Sequence, residues 1–127
     1  MGGTRIALVE DEAPVRIALA RLLRLADYEV SVYASGEEFL ADLGESMPQC
    51  AVLDVHLPGL SGIQVQKRLQ SDRVQVPVVF ITASDDPALD REAIDAGGLR
   101  MLRKPFSNDD LLAAIESVLQ WPAPRGR

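Results

Sequence analysis

The sequence has little of what usually assigns a chain to a class quickly. Cysteine occurs once, at Cys50, so an internal disulfide is excluded. That thiol heads an apolar strand-like run, where a buried structural role is expected, and the expected compartment is the reducing cytoplasm. No apolar run approaches the length of a membrane span, so no membrane contact is expected. No basic and apolar leader ending in small residues opens the chain, so export is not expected. Excess positive charge is also missing. Thirteen Lys and Arg face nineteen Asp and Glu, giving a net charge of −6 and a pI near 4.7. A domain of that sign does not bind nucleic acid through its general field. No G-x-G-x-x-G occurs, which removes a dinucleotide fingerprint. No Ser/Thr/Gly-rich loop follows the first strand pattern, which removes a flavin phosphate site.

What remains is ordinary globular material: 127 residues, 47% hydrophobic and 25% charged, enough for one domain with one core. Strand and helix patterns alternate throughout, without repeat or internal linker. Four strand-like runs end on residues useful to phosphoryl chemistry. Ile6–Val9 runs into Glu10 and Asp11, and Ala51–Leu53 into Asp54. Val78–Ile81 runs into Thr82, and Leu99–Arg103 into Lys104. A fifth run, Val30–Val32 around Ser31, alternates as an edge strand does. In parallel strands these ends meet at the edge where open α/β sheets bind ligands. Three carboxylates, a hydroxyl and an ammonium gathered there can hold a divalent cation and accept a phosphoryl group.

Helix signals fill the gaps. Val15, Ala18, Leu19, Leu22, Leu23 and Ala26 form one stripe behind Pro14. Arg16, Arg21 and Arg24 read as the solvated face of that helix. Ser35 with Glu38, Ser61 with Gln64 and Ser107 with Asp110 have capping-box spacing, the last with a shorter and weaker partner. Asp86 before Pro87 opens a helix whose apolar face is thin: Leu89, Ala93 and Ile94. That helix is expected to be the least firmly packed. The fold class is thus α/β, with five βα units in a doubly wound parallel sheet. The apolar first, third and fourth strands belong at its centre, giving the flavodoxin-like order 2-1-3-4-5. Residues 1–120 form the domain, and 121–127, from Trp121 through Pro-Ala-Pro to Arg-Gly-Arg, read as a tail or the start of a linker.

The spacing and content resemble the receiver domain of bacterial two-component response regulators over residues 4 to 120. The motifs are Val9-Glu10-Asp11-Glu12, Leu53 through Gly62, Phe80-Ile81-Thr82-Ala83 and Lys104-Pro105-Phe106. The second is similar to receivers found with helix-turn-helix output domains. The resemblance implies that Asp54 accepts a phosphoryl group from a sensor histidine kinase or phosphotransfer protein. It implies Mg²⁺ held by Glu10, Asp11, Asp54 and the backbone carbonyl of His56. Lys104 and Thr82 would bind phosphoryl oxygens, and a cis bond before Pro105 would turn the lysine inward. Three departures mark this chain. Met101 stands where an aromatic switch residue is common, His56 and Ser84 border the phosphoryl group's exposed side, and Gly97-Gly98 replaces the more usual Gly-Ala and is expected to loosen the helix exit. Output through the fourth helix, fifth strand and fifth helix is expected, with a possible homodimer there that pairs Arg100 and Arg103 with Asp90, Glu92 and Asp95.

The resemblance implies a phosphoacceptor switch and not an enzyme acting on other molecules. A phosphatase of the haloacid dehalogenase type also uses a strand-end aspartate, Mg²⁺ and a lysine. It needs a second aspartate where this chain has His56, and a cap domain for which there is no room. A phosphate-independent interaction module would have lost an acidic, acceptor or lysine position, and none is lost.

Overall fold

The computed structural model describes residues 3–120. Five strands, β1 (Arg5–Val9), β2 (Glu29–Tyr33), β3 (Cys50–Asp54), β4 (Val78–Thr82) and β5 (Arg100–Arg103), pair in parallel in the order β2-β1-β3-β4-β5. Between and after them run α1 (Ala13–Leu25), α2 (Gly36–Asp42), α3 (Gly62–Ser71), α4 (Pro87–Asp95) and α5 (Asn108–Leu119). The strands rank as their composition requires. Every residue of β3 and β4 is buried, whereas β2 and β5 are partly exposed without the alternation expected of Val30–Val32, and lie at the edges.

Period-two alternation sorts the core into two layers. Ala7, Val9, Ala51, Leu53, Val78 and Phe80 point one way, against Phe39, Ile63, Leu69 and Ala93 of α2, α3 and α4. Ile6, Leu8, Cys50, Val52, Val79 and Ile81 point the other way, against Leu23 of α1 and Leu111, Ile115 and Val118 of α5. The sheet is therefore doubly wound. Cys50 is fully buried, and burial pushes its thiol up to about 12, so it stays an inert core residue.

Several local expectations need correction. In α1 the stripe is displaced: Ala18 is exposed and Ala20 is buried in its place. On α4, Ile94 faces outward at 68% exposure, and Ala93 alone is fully covered. The boxes of α3 and α5 are reciprocal. That of α2 is not: Ser35 Oγ accepts from the Glu38 N–H, but Glu38 reaches one residue too far and accepts from Ala34. Gly98 also has a packing role. A Cβ there would lie 2.3 Å from the Phe80 ring, so the glycine makes room for a core aromatic. Gly97, at φ 101°, supplies the left-handed turn that ends α4.

Candidate functional site

The register delivers the chemistry. Val9 pairs beside Leu53, so Glu10, the next residue, lies level with Asp54 at the carboxyl edge. Asp54 pairs with Ile81 and Thr82 with Arg103, which puts Thr82 and Lys104 one step further along the same edge. The Lys104–Pro105 peptide is cis. The Lys104 N–H donates to the Thr82 carbonyl at 2.7 Å, and its side chain turns back over β3 and β1. There the ammonium bridges two carboxylates, at 2.9 Å from Asp54 Oδ2 and 3.1 Å from Glu10 Oε1.

Each carboxylate has its own restraint. The Glu12 N–H donates to Glu10 Oε2 at 3.1 Å, and the His56 N–H donates to Asp54 Oδ1 at 2.8 Å. The second bond holds the backbone of His56 beside the aspartate, while its imidazole is exposed. Glu10 is fully buried and Asp54 nearly so, at 4% exposure. Burial lifts the Glu10 carboxyl to about 7, and the Asp54 charge adds to the rise; the Glu12 N–H and the Lys104 ammonium oppose it. For Lys104, burial disfavours the charged form, but Asp54 and then Glu10 outweigh it, and its pKa is raised.

Glu10, Asp11 and Asp54 each offer an oxygen within 4.8 Å of the others. Hard oxygen donors in a compact anionic group suit Mg²⁺, which keeps several waters and needs few protein ligands. Asp11 is exposed and its carboxylate is free of hydrogen bonds among the described residues, so it can turn toward a cation. The residues present fit the ion.

On the far side of the cleft Thr82 is fully buried and its hydroxyl accepts from the Ser84 N–H at 3.0 Å. Ser84 Oγ accepts from the Asp86 N–H at 3.2 Å, and Asp86 Oδ1 from the Ala88 N–H at 3.0 Å. Three side-chain acceptors in a row thus join the strand end to the first turn of α4. Met101 is partly buried and packs beside the Phe80 layer. Trp121 and the rest of the tail lie outside the described residues.

Two contacts lay outside the sequence reading. Glu37, at the start of α2, accepts from the Leu60 N–H at 3.1 Å and so ties α2 to the loop after Asp54. Arg16 is not merely a solvated side chain: its Nη1 donates to the carbonyls of Glu10 and Asp11 at 2.8 and 3.3 Å. Helical side chains lean toward the helix N-terminus, so an arginine in the first turns can reach the preceding loop. That spacing was the available signal.

A separate groove of about 860 Å³ opens at the opposite end of the sheet. Pro48, Gln49 and Pro77, which lead into β3 and β4, meet Val118 and Leu119 of α5 there. It is remote from the carboxylates, and the chemistry belongs to the other edge.

Among proteins of known family, the sequence matches the family described as Response regulator receiver domain over residues 6–116. It is 36% identical over 115 residues to the response regulator protein TmoT of Ectopseudomonas mendocina, covering 91% of this chain and 52% of TmoT. It is 34% identical over 122 residues to the transcriptional regulatory protein FixJ of Bradyrhizobium diazoefficiens, covering 96% of this chain and 60% of FixJ. The crystal structure of full-length FixJ from B. japonicum superposes with a TM-score of 0.87 at 33% identity, covering 94% of this chain and 59% of that one. The chain belongs to the receiver domains of two-component response regulators. It spans about half the length of the curated relatives it matches.

Proposed function

We propose that this domain is a phosphorylation switch whose acceptor is Asp54. The observation that supports it best is a nearly buried strand-end carboxylate bridged by Lys104 to Glu10. In the reaction a carboxylate oxygen of Asp54 attacks phosphorus in line with the phosphohistidine nitrogen of a sensor kinase or phosphotransfer protein. The P–N bond breaks, the nitrogen keeps the electron pair, and Asp54 becomes an acyl phosphate. Lys104, released from Asp54, binds one phosphoryl oxygen, and the Thr82 hydroxyl donates to another. Glu10, Asp11, Asp54 and the backbone carbonyl of His56 would hold Mg²⁺. When bound, that ion neutralises the charge repulsion between acceptor and phosphoryl group.

The Thr82 hydroxyl already accepts from the Ser84 N–H and has its own hydrogen to donate to phosphate, so a shift of Thr82 toward the phosphoryl group would pull on Ser84 and carry the signal into α4. Met101 fills the gap left as Thr82 shifts toward the phosphoryl group, and exposed His56 with Ser84 sets the access of hydrolytic water. The output is control of transcription, as in the regulators to which the chain is similar, carried out in the cytoplasm by whatever segment or partner reads the α4–β5–α5 face. A homodimer through that face is part of the reading. Among the described residues no helix is long and apolar enough to cross a membrane.

Incubation with acetyl phosphate and Mg²⁺ should add one phosphoryl group by intact mass. Asp54→Asn, or EDTA, should abolish the addition. Equal labelling of the asparagine variant would remove Asp54 from the role.

A further inference from the structure

The loop that presents Glu10 and Asp11 is held from behind by a residue with no place in the reaction. Arg16 stands in the second turn of α1 and is partly buried. Its Nη1 lies 2.8 Å from the Glu10 carbonyl oxygen and 3.3 Å from that of Asp11. One cationic nitrogen thus draws two successive carbonyls toward the helix. Peptide planarity fixes each carbonyl oxygen relative to the Cα atoms on either side of it, so the two bonds from Arg16 set the positions of the Glu10 and Asp11 Cα atoms from which the carboxylates project. Pinning both carbonyls therefore limits where the two carboxylates can point. Glu10 has further restraints in the Glu12 N–H and Lys104. For Asp11 the described residues supply a hydrogen bond only at its carbonyl, from Arg16.

We propose that Arg16 is a positioning residue for the cation site: by clamping the carbonyls of Glu10 and Asp11 it holds their carboxylates in register with Asp54. This rests on the reading that these three carboxylates bind a divalent cation. Two effects of Arg16 on such a cation oppose each other. Its positive charge repels the ion, and its clamp organises the ligands. The charge is partly offset by the two carbonyl oxygens it already binds. The clamp acts through the backbone of the ligands themselves, and outer contacts of this kind are typically worth about 10–100-fold in metal affinity. The clamp should therefore prevail.

The test is direct Mn²⁺ titration of the unphosphorylated 127-residue chain, reading the free ion by electron paramagnetic resonance, beside Arg16→Ala and Arg16→Lys. Alanine should weaken Mn²⁺ binding about tenfold. Lysine, whose ammonium has three donors and can serve both carbonyls, should recover most of the loss. Melting temperatures in EDTA report the structural contribution separately. If the alanine variant does not fold, Arg16→Gln replaces it in the comparison and should weaken binding in the same direction. A lower melting temperature with unchanged Mn²⁺ affinity would make Arg16 a loop clamp only and overturn the proposal. So would tighter binding, which would show that charge repulsion is its main effect. Failure of the unaltered protein to bind Mn²⁺ at millimolar concentration would overturn the cation-site reading itself, and this inference with it.

Discussion

Glu10 is a carboxylate placed where solvent does not reach, and its titration should be visible in the stability of the whole domain. Its folded value of about 7 lies above the ordinary 4.5 of a free glutamate, so the native state keeps a proton that the unfolded chain releases. The sign follows. Below 4.5 both states are protonated and its contribution is intact; it declines as pH rises from 4.5 and is lost above about 7. Glu10→Gln cannot titrate. In EDTA, the melting temperature of the variant should gain on that of the unaltered protein as pH is raised from 5 to 8. Parallel curves would mean that Lys104 keeps Glu10 ionised throughout. The grouping of Glu10, Asp11, Asp54 and Lys104 was legible in the sequence because each follows a strand-like run, and parallel pairing leaves one edge for all four. The Lys104 bridge was not legible. Sequence assigns that ammonium to a phosphoryl oxygen, and only the folded cleft shows which anions it meets without one.

Elements were read less evenly, for physical reasons. β3 and β4 announced themselves as central because strands covered on both faces read as near-continuous apolar runs. The α2 cap misled because Ser-x-x-Glu spacing fixes only the serine half of a box; the longer acid can satisfy the preceding N–H instead, as Glu38 does. Ala18 misled because small residues declare no side of a helix. The thin face of α4 was legible, and its consequence is concrete. α4 is tied to Thr82 through Ser84 and Asp86, so Ser84→Ala should cut that chain midway. With one hydrogen bond of about 1 kcal/mol removed, amide exchange over residues 86–92 should quicken about fivefold, with α1 and α5 unaffected. Unchanged exchange in α4 would show that Pro87 and the Asp86 cap alone hold its start.

For the whole molecule, the proposed dimer must contend with bonds already made inside the protomer. Arg103 pairs with Asp90 at 2.5 Å, and Arg100 donates to Ser117 at 3.1 Å. Charges engaged in this way are less available across a two-fold axis, which leaves exposed Ile94 as the apolar contact of that face. Sedimentation with beryllofluoride and Mg²⁺ should show weak dimers that Ile94→Asp eliminates. Dimers that survive this substitution but dissolve in high salt would restore ion pairs as the main contact, and an unchanged mass throughout would leave a monomer read by another protein.

The groove beside Val118 and Leu119 fixes where the described chain stops: at the pole of the domain opposite Asp54. α5 is 12 residues long, about 18 Å from end to end. On the proposed reading, charge added at Asp54 would not be felt at that pole by touch. The signal would have to travel sideways over the flank of the domain, as a change in what that flank will bind.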